Sequence, residues 1–227
     1  MDAIKVWGLS GPNPPKVAIL LQELDIPYEI VDYPLSDVKK PEYIAINPNG
    51  RLPAIHDPNT GITLWESGAI IEYITDLYDP EHKLSFAPRT PEAWYAKQWL
   101  FFQTTGQGPY YGQAVWFNKF HKERLPSALD RYVKEAHRVM GVLEKRLAEE
   151  EQSNKDDLNG GPWLVGNKFS YADLAFIPWQ LVLGLMVGEP GCSHDDFPKV
   201  KAWYEKICSR PAVKTVLENA FPFLKKS

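Results

Sequence analysis

Glu66 and Ser67, in Trp65-Glu66-Ser67-Gly68-Ala69-Ile70, are well suited to recognising a small charged molecule. Ser67 stands where a helix begins. The first N–H groups of a helix lack partners within it, so a carboxylate docks there. Glu66 beside it can take an ammonium group, and acid and helix start together match the zwitterionic end of an amino acid. The same pair also makes an ordinary Ser cap with an acid at the positive end of the helix dipole; spacing alone does not separate the two readings.

A second chemical feature is Arg51-Leu52-Pro53-Ala54-Ile55. Proline at the first position of a strand, after a glycine-containing loop, is a candidate cis bond. A cis bond there turns the N–H and C=O of Leu52 toward solvent, ready to pair with an extended peptide. A plain strand-entry proline in trans fits the same string. The third feature is the turn Ser10-Gly11-Pro12-Asn13, between a strand and a helix. It falls at the carboxyl edge of a sheet, where ligands of open α/β sheets bind. A hydroxyl or carboxamide there can donate to a thiolate, or can merely satisfy the backbone of the turn.

The elements that must position these residues follow from periodicity. Ile4 to Gly8 reads as a strand, and Val17, Ala18, Leu20, Leu21 and Leu24 as one face of a helix that opens on Pro14 and Pro15. Tyr28 to Tyr33 reads as a second strand and Pro41 to Ile46 as a short helix that ends at Asn47-Pro48-Asn49-Gly50. Pro53 to Asp57 and Ile62 to Leu64 form a hairpin, and Ser67 opens a helix carrying Ile70, Ile71, Ile74 and Leu77. A βαβ unit joined to a ββα unit predicts a four-stranded sheet with helices on both faces.

Beyond the proline-bearing stretch Asp79 to Pro91 the strand signals fade. Helical spacing links Trp94, Tyr95, Trp99 and Phe102, and again Tyr132, Ala136, Val139, Met140, Leu143 and Leu147. Glu149 to Gly161 reads as a loop. Ser170 and Asp173 form a capping box, with Phe169 and Leu174 as its hydrophobic staple, and Pro198 to Ile207 reads as a further helix.

Composition narrows the function classes. Among 227 residues the net charge is −4, which argues against broad binding to nucleic acid or anionic membrane. Two cysteines, Cys192 and Cys208, with no CxxC and no Cys/His metal spacing, point to no metal and to a reducing compartment. With no apolar leader and no stretch of the roughly 20 apolar residues a membrane span requires, the expected place is the cytoplasm.

Jointly, these strings resemble the glutathione transferase family. NPNGRLPAI followed by WESGAIIEYI is similar to its glutathione-site pattern, and VGNKFSYADLAF to its C-terminal helix-capping signature. WLFFQTTGQGPYYGQ with the later DRY resembles the group joining fungal nitrogen-regulator-like transferases and bacterial nu-class enzymes. The likeness covers nearly the whole chain. It implies an α/β thioredoxin-like N-terminal domain over residues 1–80, a linker over 81–91 and an all-α helical domain over 92–227. It also implies glutathione as co-substrate, a small electrophile or disulfide as second substrate, and a homodimer.

The resemblance implies residue roles as well. Leu52 bonds the cysteinyl part of glutathione through its backbone, with Pro53 cis and Arg51 in the same segment. Glu66 and Ser67 hold the γ-glutamyl end, and Arg131 reaches it from the helical domain. Lys39 or Lys40 meets the glycine carboxylate, and Asn13 sits near the sulfur. The second-substrate wall falls to the aromatic-rich stretch around Gly106 and Gly108, with Gln103, Tyr110 and Tyr111 as its candidates.

Two departures stand out. Gly11 fills the slot where relatives often place a thiolate-donating Ser or Thr, with Ser10 one position early. The turn has no Cys or Tyr, which leaves Asn13, local N–H groups and the helix dipole to stabilise a thiolate. A thiol of pKa about 8.5 needs roughly 2.7 kcal/mol of preferential thiolate stabilisation to fall by two units, within reach of one or two good donors. The expected activity is attack of bound glutathione thiolate on small electrophiles. Glutathione-dependent disulfide or peroxide reduction and a non-catalytic glutathione-binding regulator are the alternatives.

Overall fold

The computed structural model describes residues 1–154, 160–186 and 193–226. Strands β1 (Ile4–Trp7), β2 (Tyr28–Val31), β3 (Ala54–Asp57) and β4 (Ile62–Trp65) form one mixed sheet in the order β2-β1-β3-β4. Strand β1 runs parallel to β2 and antiparallel to β3, as the βαβ and ββα units require. Helices α1 (Pro14–Glu23), α2 (Pro41–Ile44) and α3 (Ser67–Tyr78) complete the predicted thioredoxin-like order.

The pleat assigns the faces. Successive side chains alternate across a strand, and residues directly opposed on neighbouring strands share a face. Trp7 lies opposite Ala54, and both pack with Val38, Tyr43 and Leu52 around α2. Ile55 and Asp57 therefore point the other way. The buried Asp57 carboxylate accepts from Tyr73 at 2.6 Å and Tyr78 at 2.5 Å, which ties the hairpin to α3. On this face α1 packs against α3, burying Val17, Leu20, Leu21, Ile70, Ile71 and Ile74.

The remaining helices are α4 (Pro91–Phe102), α5 (Gly108–Val115), α6 (Pro126–Ser153), α7 (Tyr171–Leu174), α8 (Ile177–Met186), α9 (Pro198–Cys208) and α10 (Pro211–Ala220). Two π-helical turns, Gln103–Gln107 and Trp116–Phe120, flank α5. The chain divides into two compact units, Phe86–Cys208 and Met1–Ser85 with Ser209–Ser227. The sequence places residues 209–227 with the helical domain, whereas α10 packs on α1 in the sheet unit. There Arg210 clasps the buried Glu23 carboxylate in a bidentate pair at 2.8 and 2.6 Å.

In the helical unit α6 buries Ala136, Val139, Met140, Leu143 and Leu147, the predicted stripe. The loop expected from Glu149 starts later, because α6 continues through Ser153. Arg146 and Glu150 pair one turn apart, and Lys199 meets Glu151 at 2.6 Å, so the charged run belongs to the helix. Residues 155–159 of the expected loop, and Cys192, lie outside the described residues. The capping box is formed: Ser170 Oγ accepts from Ala172 N–H, and the buried Asp173 accepts from Ser170 N–H, Leu164 N–H and Trp203 Nε1–H. Among the described residues no helix is long and apolar enough to cross a membrane, and no cluster of three His, Cys, Asp or Glu could hold a metal ion.

Candidate functional site

The Leu52–Pro53 bond is cis. The loop before it is built by Asn47. Its Nδ2–H donates to the Arg51 carbonyl at 2.7 Å, and its Oδ1 accepts from Asn49 N–H at 2.9 Å. Tyr43 Oη–H donates to the same Arg51 carbonyl at 2.9 Å. Leu52 follows with its side chain buried, while neither its N–H nor its C=O pairs with another described residue. Its side chain lies against Gly8, at φ +71°, where a Cβ would come within 2.3 Å of Leu52 Cδ1. Gly8 therefore serves both the turn leaving β1 and the seat of Leu52.

Glu66 precedes α3 at φ 73°, ψ 114°, a sparsely populated conformation for a residue with a side chain. The sequence gives no signal of this. The Ser67 reading needs correction: the N-cap position is Glu66, no side chain caps the helix, and Ser67 is its first residue. Ser67 is 7% exposed, whereas Glu66 is exposed and its Oε1 accepts from Asn49 Nδ2–H at 3.4 Å. The Asn47–Arg51 loop, the Leu52 backbone and the start of α3 thus form one continuous edge.

A residue that sequence reasoning missed stands behind Ser67. Lys16 of α1 is 1% exposed, and its Nζ–H reaches Ser67 Oγ at 3.5 Å. Burial pulls its ammonium down to about 7, against the opposing attraction of Glu66. Only its three-residue spacing after Asn13 hinted at it, and within Val17-Ala18-Ile19-Leu20 a lysine reads as a surface residue.

Asn13 occupies the N-cap position of α1, half-buried, and its side chain makes no capping bond. The next two residues are proline and have no N–H, and Lys16 N–H is turned back onto Asn13 C=O at 3.2 Å. The first turn of α1 therefore offers few backbone donors, and the expected help from local N–H groups contracts toward the Asn13 carboxamide. Gly11 sits at φ +87°, with nothing within 4 Å of the place a Cβ would take. A serine would have room there but a strained backbone. Ser10 is exposed.

The basic candidates diverge. Lys40 pairs with Asp37 at 2.7 Å, Lys39 donates to Asn49 C=O at 2.9 Å, and Arg51 is exposed. In the helical unit Arg131 is exposed and meets Glu135 at 3.4 Å. Gln103 and Tyr111 are fully enclosed in that unit, and Gln103 donates to Gln107, which donates to Phe176 C=O. Of the three candidates for the second-substrate wall, only Tyr110 keeps a partly exposed ring. It sits 6.4 Å from Tyr132, whose own ring stacks on Phe117 at 5.6 Å.

Comparison with known proteins decides the family. Residues 2–76 match the glutathione S-transferase N-terminal domain and residues 109–211 its C-terminal domain. The glutathione S-transferase-like protein tpcF of Aspergillus fumigatus is 54% identical over 98% of both chains. The chain belongs to the glutathione S-transferase family. Within this family it is also similar to the URE2 protein of Kluyveromyces marxianus, 37% identical over 92% of this chain and 58% of that one, so the fungal nitrogen-regulator-like resemblance holds. The glutathione transferase URE2P6 from Phanerochaete chrysosporium, solved with oxidised glutathione, superposes with a TM-score of 0.87 at 41% identity, covering 99% and 97% of the two chains. A Lodderomyces elongisporus homologue solved with two glutathione molecules per subunit gives 0.87 at 32% identity, covering 96% and 99%.

Proposed function

We propose that this transferase-family chain binds glutathione along the edge from Leu52 to Ser67 and directs its thiolate at a small electrophile. The observation that carries the reading is the unpaired Leu52 backbone beside the start of α3 and the exposed Glu66 carboxylate. An extended γ-glutamyl peptide fits those groups: its cysteinyl N–H and C=O pair with Leu52, its ammonium meets Glu66, and its carboxylate meets Ser67. The thiol then falls toward the β1–α1 turn, where the Asn13 carboxamide donates to the thiolate. Arg51 and Lys40 supply outer positive charge. A homodimer is part of the same reading.

Oxidised glutathione in one similar structure, and two glutathione molecules per subunit in another, favour a second use of the same site. Here the bound thiolate attacks the glutathionyl sulfur of a mixed disulfide. A glutathione disulfide forms, and the other sulfur leaves as a thiolate that takes up a proton. The likeness to URE2 proteins supports a third reading, glutathione binding without turnover. Parallel assays with an aromatic halide electrophile and a glutathione mixed disulfide separate all three. Turnover of the halide supports transferase action, a ratio strongly favouring the disulfide supports reduction, and no turnover of either with glutathione bound supports the regulator.

A further inference from the structure

We propose that Lys16 is a positioning residue of the γ-glutamyl site, its buried ammonium acting through Ser67 as the counter-charge for the ligand's carboxylate. The inference rests on the glutathione reading above. It starts from a charge imbalance at the start of α3. Glu66 attracts a ligand ammonium but repels the carboxylate on the same carbon. The helix terminus supplies only about half a positive charge in compensation. A full positive charge behind Ser67 restores the balance, and Lys16 Nζ is placed there, 3.5 Å from Ser67 Oγ and 51 residues away in sequence.

A buried lysine is an unusual choice among apolar neighbours. Lys16 is 1% exposed and is followed by Val17, Ala18, Ile19, Leu20 and Leu21, all buried. An aliphatic side chain would fill the space without the cost of burying an ammonium. Among the ionisable groups on the elements packed against α1, Glu66 at the head of α3 attracts the Lys16 ammonium. Just before α10, Arg210 pairs with Glu23 at the far end of α1, and on α10 Lys214 faces Glu218. On β1, Lys5 is exposed.

Burial leaves Lys16 near pH 7 in the free protein, about half charged at neutrality. A carboxylate arriving at Ser67 favours the charged form, so the pKa rises on binding and the complex takes up a proton. Affinity is therefore full where Lys16 is already protonated and falls as pH rises through the free-protein value. With that value about 7, the loss between pH 7 and pH 8 is about five-fold.

The test uses S-methylglutathione, which has no thiol to titrate, with calorimetry from pH 6 to 8.5 in buffers of different ionisation enthalpy. Wild-type protein is expected to take up part of a proton at pH 8. Lys16→Met is expected to bind roughly 10- to 100-fold more weakly at pH 6, with neither proton uptake nor this pH dependence. Lys16→Arg restores affinity without the pH dependence, because guanidinium stays charged. S-methylated γ-aminobutyryl-cysteinyl-glycine, which lacks the carboxylate, should bind wild type and Lys16→Met alike. A folded Lys16→Met protein with wild-type affinity and pH profile overturns the inference while leaving the glutathione site standing. Failure of wild type to bind S-methylglutathione sinks the glutathione reading itself. Should Lys16→Met not fold, absence of proton uptake by wild type is the overturning result.

Discussion

Replacing Gly8 by alanine couples the fold to the proposed site through a single contact. The new Cβ would sit 2.3 Å from Leu52 Cδ1 and 3.2 Å from Leu52 Cγ, on a backbone at φ +71°. Holding a residue with a side chain in that conformation costs about 1–2 kcal/mol. Relieving the overlap adds about 1 kcal/mol, the low end for overpacking, because the clashing atoms are the mobile end of a leucine. Gly8→Ala is therefore expected to lose about 2–3 kcal/mol in urea unfolding. Turning Leu52 away also shifts the backbone that is to pair with glutathione, so glutathione affinity should fall with stability. Leu52→Ala removes the clashing atoms, and the double variant should lose about 1 kcal/mol less than the sum of the single losses. Additive losses, or a Gly8→Ala protein that binds glutathione as wild type does, would refute the claim that Gly8 seats Leu52.

Three further outcomes follow from other contacts. Asn13→Ala should raise the pKa of bound glutathione thiol more than it weakens binding; if absorbance titration and calorimetry show neither change, Asn13 is a turn residue and Ser10 becomes the candidate. Arg210→Ala leaves the Glu23 carboxylate buried without its bidentate partner. Discounted for the 34% exposure of the arginine side chain, the loss in denaturant unfolding should be about 1–3 kcal/mol, less than for a fully buried pair. Burial raises Asp173 to about 6, above its unfolded value, so its contribution to stability is greatest below pH 4 and declines as pH rises toward 6. Asp173→Asn should remove that decline from the pH–stability curve. It should also cost about 1–3 kcal/mol at pH 7, because one carboxamide oxygen cannot accept all the donors the two carboxylate oxygens now satisfy.

Local chemistry made much of both units readable. The strand and helix order, the hairpin around Pro58-Asn59-Thr60-Gly61, and the Ser170–Asp173 capping box all depend on residues close together in sequence. The α6 stripe was legible for the same reason, since five of its six residues recur at helical spacing and are buried. What escaped depends on distant partners or on backbone detail. The docking of α10 rests on Arg210 and Glu23, which are 187 residues apart. Lys16 counts as a surface residue until α3 is placed over it. The positive φ of Glu66 leaves no mark on residue type, and Ser67 therefore read as a cap when it is the first helical residue. Gln103 and Tyr111 read as pocket residues because their neighbours are aromatic and glycine-rich; in the fold their side chains are enclosed. The φ of +87° at Gly11, where a serine would be strained, is likewise invisible in residue spacing.

The central claim is that this chain holds glutathione as a thiolate. The direct test is a pH titration of thiolate absorbance for glutathione bound to the purified protein. The account predicts a bound-thiol pKa roughly two units below the free value of about 8.5, giving a mainly ionised thiol at pH 7. Binding with an unshifted pKa would contradict it, and would leave a protein that holds glutathione without activating it.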